Sequence, residues 1–123
     1  MFPLKRDIGK KYEAHAAKFL RNQGYRIVAK NFQWRGGEID LVAVNNSVII
    51  FVEVKYRSNE KYGLAAETVT PAKQRKLIRT AQYFLQRHDK FSLMDARFDV
   101  IGMTPSSSDK DIDVDWIKGA FTT

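Results

Sequence analysis

The chain reads as an α/β protein, with a mixed central sheet of about five strands flanked by helices in the order α-β-β-β-α-β-β. Three observations predict it. Two stretches repeat apolar residues at helical spacing, and five others read as strands. The second helical stretch lies between strands and is long enough to be a right-handed crossover joining parallel neighbours. At 123 residues the chain suffices for a single domain, 1–123, and for one core.

Each element has its own signal. Over residues 5–22, Ile8, Tyr12, Ala16, Phe19 and Leu20 recur at helical spacing, and Gly24 stands where a C-terminal glycine belongs. Tyr25 to Ala29 reads as a short strand, followed by an irregular link from Asn31 to Gly37. Glu38–Val44 and Val48–Tyr56 are strong strand patterns around the turn-forming Asn45-Asn46-Ser47. Arg57 to Val69 has little periodicity and reads as an exposed loop. Thr70 then caps a helix that Pro71 opens, where a missing N–H costs nothing. Leu77, Ile78, Ala81, Phe84 and Leu85 form its apolar stripe; Lys73, Arg75, Lys76, Arg79 and Arg87 lie outside it. Arg97–Met103 and Asp111–Ile117 close the chain as strands. In the last one Ile112, Val114 and Trp116 alternate with Asp111, Asp113 and Asp115, which gives a half-buried strand with an acidic, edge-protecting outer face.

Composition narrows the function classes. With 44% apolar and 28% charged residues the chain is neither disordered nor a rod. The longest apolar run, Val48 to Val52, falls far short of the ~20 residues that span a bilayer, so no membrane partner is expected. The absence of cysteine excludes disulfide scaffolds, thiolate zinc sites and cysteine nucleophiles. The opening Met-Phe-Pro-Leu-Lys-Arg-Asp lacks the apolar centre of an export signal, so a cytoplasmic location is expected. Residues 1–90 carry 18 Lys and Arg against 8 Asp and Glu, a net +10, while 91–123 carry 3 against 6, a net −3. A basic body of this kind suits a polyanion, since each phosphate that Lys or Arg neutralises releases condensed counterions.

The chemistry is concentrated in strand 48–56. Ile49, Phe51, Glu53, Lys55 and Arg57 alternate with Val48, Ile50, Val52, Val54 and Tyr56, and so apolar a strand belongs at the centre of the sheet. Glu53 and Lys55 are then charges in a sheet interior, costly unless paired or metal-bound. If the hairpin turns on Asn45 and Asn46, Ala43 faces Val48 and Asp40 faces Phe51. Asp40 then shares the face of Glu53, diagonal to it, with Glu38 on the same side. Glu13, at the margin of the first helix's stripe, has only Gly9 and Ala17 one turn to either side, which leaves open space around it. Two carboxylates ~5 Å apart repel by roughly 3 kcal/mol at an effective dielectric near 20. Lys55 alone cannot balance three carboxylates, whereas a divalent cation can. An oxygen-only donor set favours Mg²⁺ or Mn²⁺ over zinc. The plainer alternative is a structural Glu53–Lys55 ion pair, with Asp40 and Glu13 bonded elsewhere.

Glu13, Gly37-Glu38-Ile39-Asp40-Leu41 and Phe51-Val52-Glu53-Val54-Lys55-Tyr56-Arg57 together resemble the PD-(D/E)XK nuclease superfamily. More narrowly they resemble the small bacterial YraN family, related to Holliday-junction resolvases. The resemblance covers nearly the whole chain; Ile39 replaces the usual proline before the aspartate. It implies a restriction endonuclease-like core and a metal-dependent endonuclease acting on DNA phosphodiesters, including branched or structured DNA. Asp40 and Glu53 would ligate Mg²⁺ or Mn²⁺, with the Val54 carbonyl as a further ligand, and Glu13 would bind the ion directly or through water. Lys55 would orient the nucleophile or stabilise the transition state. The competing class is a non-catalytic nucleic-acid-binding module on the same fold. Nothing in the chain reads a 2′-hydroxyl, so DNA is favoured over RNA without excluding it. Symmetric cutting of two strands would require a homodimer.

Arg57 continues the site's strand face and is the first nucleic-acid contact expected. Lys73 and Lys76, with Arg75 and Arg79, present a basic helix face that either meets phosphates or is merely solvated. Gln74 either points into the cleft or bonds a loop backbone. Arg35 with Gly36 and Gly37 either meets a phosphate or only makes a turn. Trp34, Tyr56 and Tyr62 either stack on unpaired bases or belong to the core. His15 and His88 read as structural.

Overall fold

A computed structural model of the chain describes residues 5–56, 69–105 and 112–121, with side chains from residue 9 onward. The expected Arg57–Val69 loop lies almost wholly outside them, as do Arg57, Tyr62 and Asp111. The elements are α1 (Lys5–Asn22), β1 (Arg26–Trp34), β2 (Gly37–Val44), β3 (Val48–Tyr56), α2 (Pro71–Arg87), β4 (Asp95–Pro105) and β5 (Ile112–Phe121), with a single 3-10 turn at Asp89–Phe91. This is the predicted order. The strands form one mixed sheet ordered β1-β2-β3-β4-β5. β3 is central and runs parallel to β4, and the other neighbours pair antiparallel.

One helix serves each face of the sheet. Tyr12, Ala16, Ala17 and Leu20 of α1 pack on Leu41, Ala43, Ile50, Val52, Ile101 and Met103. Leu77, Ala81 and Phe84 of α2 pack on the opposite residues, including Val42, Ile49, Phe51, Phe98 and Val100. Because β3 is covered on both sides, Ile49 through Glu53 are all buried. α1 ends in a Schellman motif: Gly24 at φ 92 lets its N–H reach the Arg21 carbonyl, while the Tyr25 N–H reaches that of Leu20. At the start of α2 the Thr70 hydroxyl accepts from the Lys73 N–H at 3.2 Å, with Pro71 in the first helical position.

Two sequence expectations need correction. β1 continues through the stretch read as an irregular link. It absorbs a register shift between Ile27 and Ala29 and a left-handed Asn31 (φ 51), then turns tightly at Arg35-Gly36. The β2–β3 hairpin is displaced by two residues, with Ala43 opposite Ile50 and Val42 opposite Phe51. Asn45 is the cause. Its Oδ1 accepts from the N–H groups of Ser47 and Val48, both at 2.8 Å, and its own N–H donates to the Val48 carbonyl. Asn45 therefore closes the strand, and Asn46-Ser47 forms the tip. A shift of two preserves parity, so the face assignments stand.

On β4, opposite Val52 of β3, Asp99 is fully buried. It accepts from Arg97 Nε (2.8 Å) and Nη2 (2.9 Å), Trp116 Nε1 (2.9 Å) and the Gly119 N–H (2.9 Å). These bonds fasten edge strand β5, whose Asp113 and Asp115 face outward as expected.

Candidate functional site

The β2–β3 ladder ends at Leu41 opposite Val52, which makes Asp40 and Glu53 the next residues along each strand. Beyond that pair the Val54 N–H is taken by a side chain, Asp40 Oδ2 at 2.8 Å. Asp40, Glu53 and Glu38 line one cleft of about 390 Å³, whose opposite wall is α2 through Lys73, Lys76 and Leu77. Gly37 lets that wall come close, because a Cβ there would run into Thr80 Oγ1. Gly36 and Gly37 also line it, as do Thr70 and Ala72. Gly37 thus serves helix–sheet contact, and Gly36 (φ 80) serves the turn.

Glu53 is 8% exposed and binds two ammonium groups through one oxygen, Lys73 Nζ to Oε1 at 2.7 Å and Lys55 Nζ to Oε1 at 3.3 Å. Among the described residues Glu53 Oε2 and Asp40 Oδ1 have no protein donor. Burial pushes the Asp40 carboxyl up to about 7; the charges of Glu53, Glu13 and Glu38 push the same way, and the Val54 N–H opposes them. The Lys55 ammonium is lowered by burial and by neighbouring Lys73. Burial also pulls on Lys73, yet its bond to Glu53 leaves it raised overall.

Asp40, Glu53 and Lys73 come together in the cleft, with Lys55 paired to Glu53 from the same strand face. Glu13 is half-buried on α1 and is not among the cleft's lining residues, though its charge is felt at Asp40. Lys76 lines the cleft. Gln74 donates from Nε2 to the Val69 carbonyl at 2.9 Å, the loop-backbone alternative. Arg35 stands at the β1–β2 turn, at φ 46. Among the described residues, no three carboxylates or imidazoles converge tightly enough to form a ready-made metal cage.

Sequence reasoning missed the bond between Lys73 and Glu53. A signal for it existed: Lys73 lies in the first turn of α2, which holds no acidic residue. A cation there opposes the helix dipole and calls for a nearby anion. It also left open the Tyr12–Tyr56 stack (centroids 4.2 Å apart) that joins α1 to the end of β3. Burial, with a smaller effect of Tyr56, raises the Tyr12 hydroxyl.

Fold and site define an α/β protein whose central strand opens on an acidic cleft walled by lysines. Residues 12–103 match the model of the uncharacterised protein family UPF0102, and the chain belongs to that family, the YraN family its motifs resemble. A UPF0102 protein of Vibrio parahaemolyticus is 45% identical over 118 residues, covering 96% of this chain and 94% of that protein. One from Alcanivorax borkumensis is 43% identical over 117 residues, covering 95% and 93%. One from Coxiella burnetii is 40% identical over 121 residues, covering 98% and 97%. No described helix is long and apolar enough to cross a membrane.

Proposed function

We propose that the protein is a metal-dependent endonuclease hydrolysing DNA phosphodiesters, with branched or structured DNA as its substrate class. The carrying observation is that Asp40 and Glu53 share one cleft whose far wall is basic, in a chain of net charge +7. The cleft suits Mg²⁺ or Mn²⁺. Mg²⁺ commonly takes one or two protein carboxylates and keeps the rest of its shell for water and substrate phosphate, so a three-donor protein cage is not required. Asp40 Oδ1 and Glu53 Oε2 are the oxygens that would hold it. Asp40, pushed up to about 7 chiefly by burial and by the charge of Glu53, is a carboxyl that a neighbouring cation would help to ionise.

When bound, the ion would supply a water of lowered pKa and neutralise charge on the phosphate. The protein's own groups do the rest. Asp40 is steadied by the Val54 N–H, and Glu53 by the two lysines. Lys55, on the same face as Glu53, donates to the attacking water or to a phosphate oxygen as charge builds there. Lys73 and Lys76 draw the backbone of the strand into the cleft. Glu13 acts on Asp40 through its charge, or through a water. Arg57, two residues after Lys55 in sequence, is proposed as a further phosphate contact. Cutting both strands of a duplex symmetrically requires a second copy, which paired-nick mapping together with gel filtration would detect.

One observation favours a second reading, a binding module without cleavage. The Lys73 ammonium already neutralises Glu53 at 2.7 Å. Incubation with duplex, flap, four-way and single-stranded DNA, with Mg²⁺ or Mn²⁺, separates the two. The nuclease reading expects cutting by wild type and none by Asp40→Asn. Equal cutting by both proteins implicates a contaminant. Tight, salt-sensitive binding without cutting supports the module.

A further inference from the structure

A second cavity, of about 200 Å³, opens where the β1–β2 turn meets α2. It is lined by Trp34, Arg35, Lys76, Arg79, Thr80 and Gly37, with no carboxylate among the described residues. Gly37 and Lys76 also line the acidic cleft, so the two cavities adjoin. The Trp34 indole stacks on Tyr83, with centroids 4.6 Å apart and planes 12° apart. The Arg35 guanidinium lies over the indole at 5.2 Å, and that of Arg87 over Tyr83 at 5.8 Å. Cations and aromatic rings are therefore interleaved along this side of the molecule. Among the described residues no carboxylate pairs with Arg35, Lys76 or Arg79. Arg35 also holds a left-handed backbone at φ 46, a position where asparagine or glycine is the easy choice. That backbone is kept at a residue which carries a guanidinium to the cavity wall, as Arg79 does from α2.

We propose that this cavity holds an unpaired nucleotide of the strand whose neighbouring phosphodiester enters the acidic cleft. The proposal deepens the nuclease reading and rests on it. Indole and guanidinium planes stack on the exposed face of any base, with little regard to sequence. A duplex keeps its base faces stacked on one another and offers only phosphates, for which the charges alone would serve. The register fits as well. Lys73 to Arg79 spans about 9 Å at the helical rise of ~1.5 Å per residue. One extended strand therefore reaches both cavities. A base seated at Trp34 thus sets which bond lies over Asp40 and Glu53.

The alternative is that Trp34 and Tyr83 only pin the hairpin to α2. Fluorescence anisotropy with labelled oligothymidylate and with a blunt duplex, in EDTA, separates the two. Trp34→Leu should weaken oligothymidylate binding about tenfold, the size of one lost base stack, and duplex binding less than about twofold. Trp34→Phe should restore most of the loss. Arg79→Ala, which leaves the aromatic stack untouched, should lower the salt dependence on single strands by about 0.7 in log–log slope. Unchanged oligothymidylate binding by Trp34→Leu overturns the proposal, as does equal loss on duplex. Failure of Trp34→Phe to rescue, or an unchanged salt slope in Arg79→Ala, also overturns it. If the binding pattern holds while wild type cuts nothing with Mn²⁺, the nuclease reading falls and the nucleotide site remains. If wild type cuts and the pattern is absent, the reverse is true.

Discussion

Asp40→Asn should make the metal-free protein more stable, and increasingly so as pH rises. The Asp40 carboxyl stands at about 7 in the folded protein against an ordinary 3.8, chiefly because it is buried and faces the charge of Glu53. Between those two values the folded chain keeps a proton that the unfolded chain has released. Stability therefore falls as pH rises through this window and is lowest above about 7. A difference of about three pH units at ~1.36 kcal/mol each sets an upper bound near 4 kcal/mol, of which about 2–3 kcal/mol develops between pH 5 and pH 8. Asparagine carries no charge, and its amide oxygen can still accept from the Val54 N–H, which lies 2.8 Å from Asp40 Oδ2. Urea unfolding in EDTA across that range checks it. The gap between variant and wild type should widen by about 2 kcal/mol from acid to alkaline pH. A gap independent of pH, or a variant less stable than wild type at pH 8, would refute the electrostatic argument.

Two further substitutions probe the frame that holds the site. Asp99→Asn should cost about 1–3 kcal/mol in urea unfolding, because it takes the charge from a buried acceptor of four hydrogen bonds, two of them from Arg97; a loss under about 0.5 kcal/mol would show that the network does not fasten β5. Gly37→Ala should cost about 1–3 kcal/mol, since the added methyl meets Thr80 Oγ1 and pushes α2 off β2. The same variant should bind DNA more weakly, because the cleft wall carrying Lys73 and Lys76 moves with the helix; wild-type stability would contradict the close approach.

The legible parts of the fold are those in which local pattern and tertiary role coincide. The continuous apolar run of β3 marked a central strand, and the Thr70-Pro71 pair marked the start of α2. The hairpin shows what pattern leaves open. Three consecutive polar residues allow two two-residue tips, and only the Asn45 side chain, capping Ser47 and Val48, selects one. Both tips put Asp40 on the face of Glu53, so the cleft could be anticipated while its register could not. The alternation that marks β1 breaks at Asn31, although Phe32 and Trp34 resume it and pack against α2 through Phe84 and Tyr83. The Lys73–Glu53 bond joins residues 20 apart in sequence across two elements, which periodicity cannot see.

Mn²⁺ titration followed by electron paramagnetic resonance observes directly, without any substrate, a divalent cation seated in the cleft of Asp40 and Glu53. Wild type should take up one ion, more tightly at pH 8 than at pH 6 because Asp40 must give up its proton; Glu53→Gln should lose that site. Equal Mn²⁺ uptake by wild type and Glu53→Gln, or none by either, would contradict this seating.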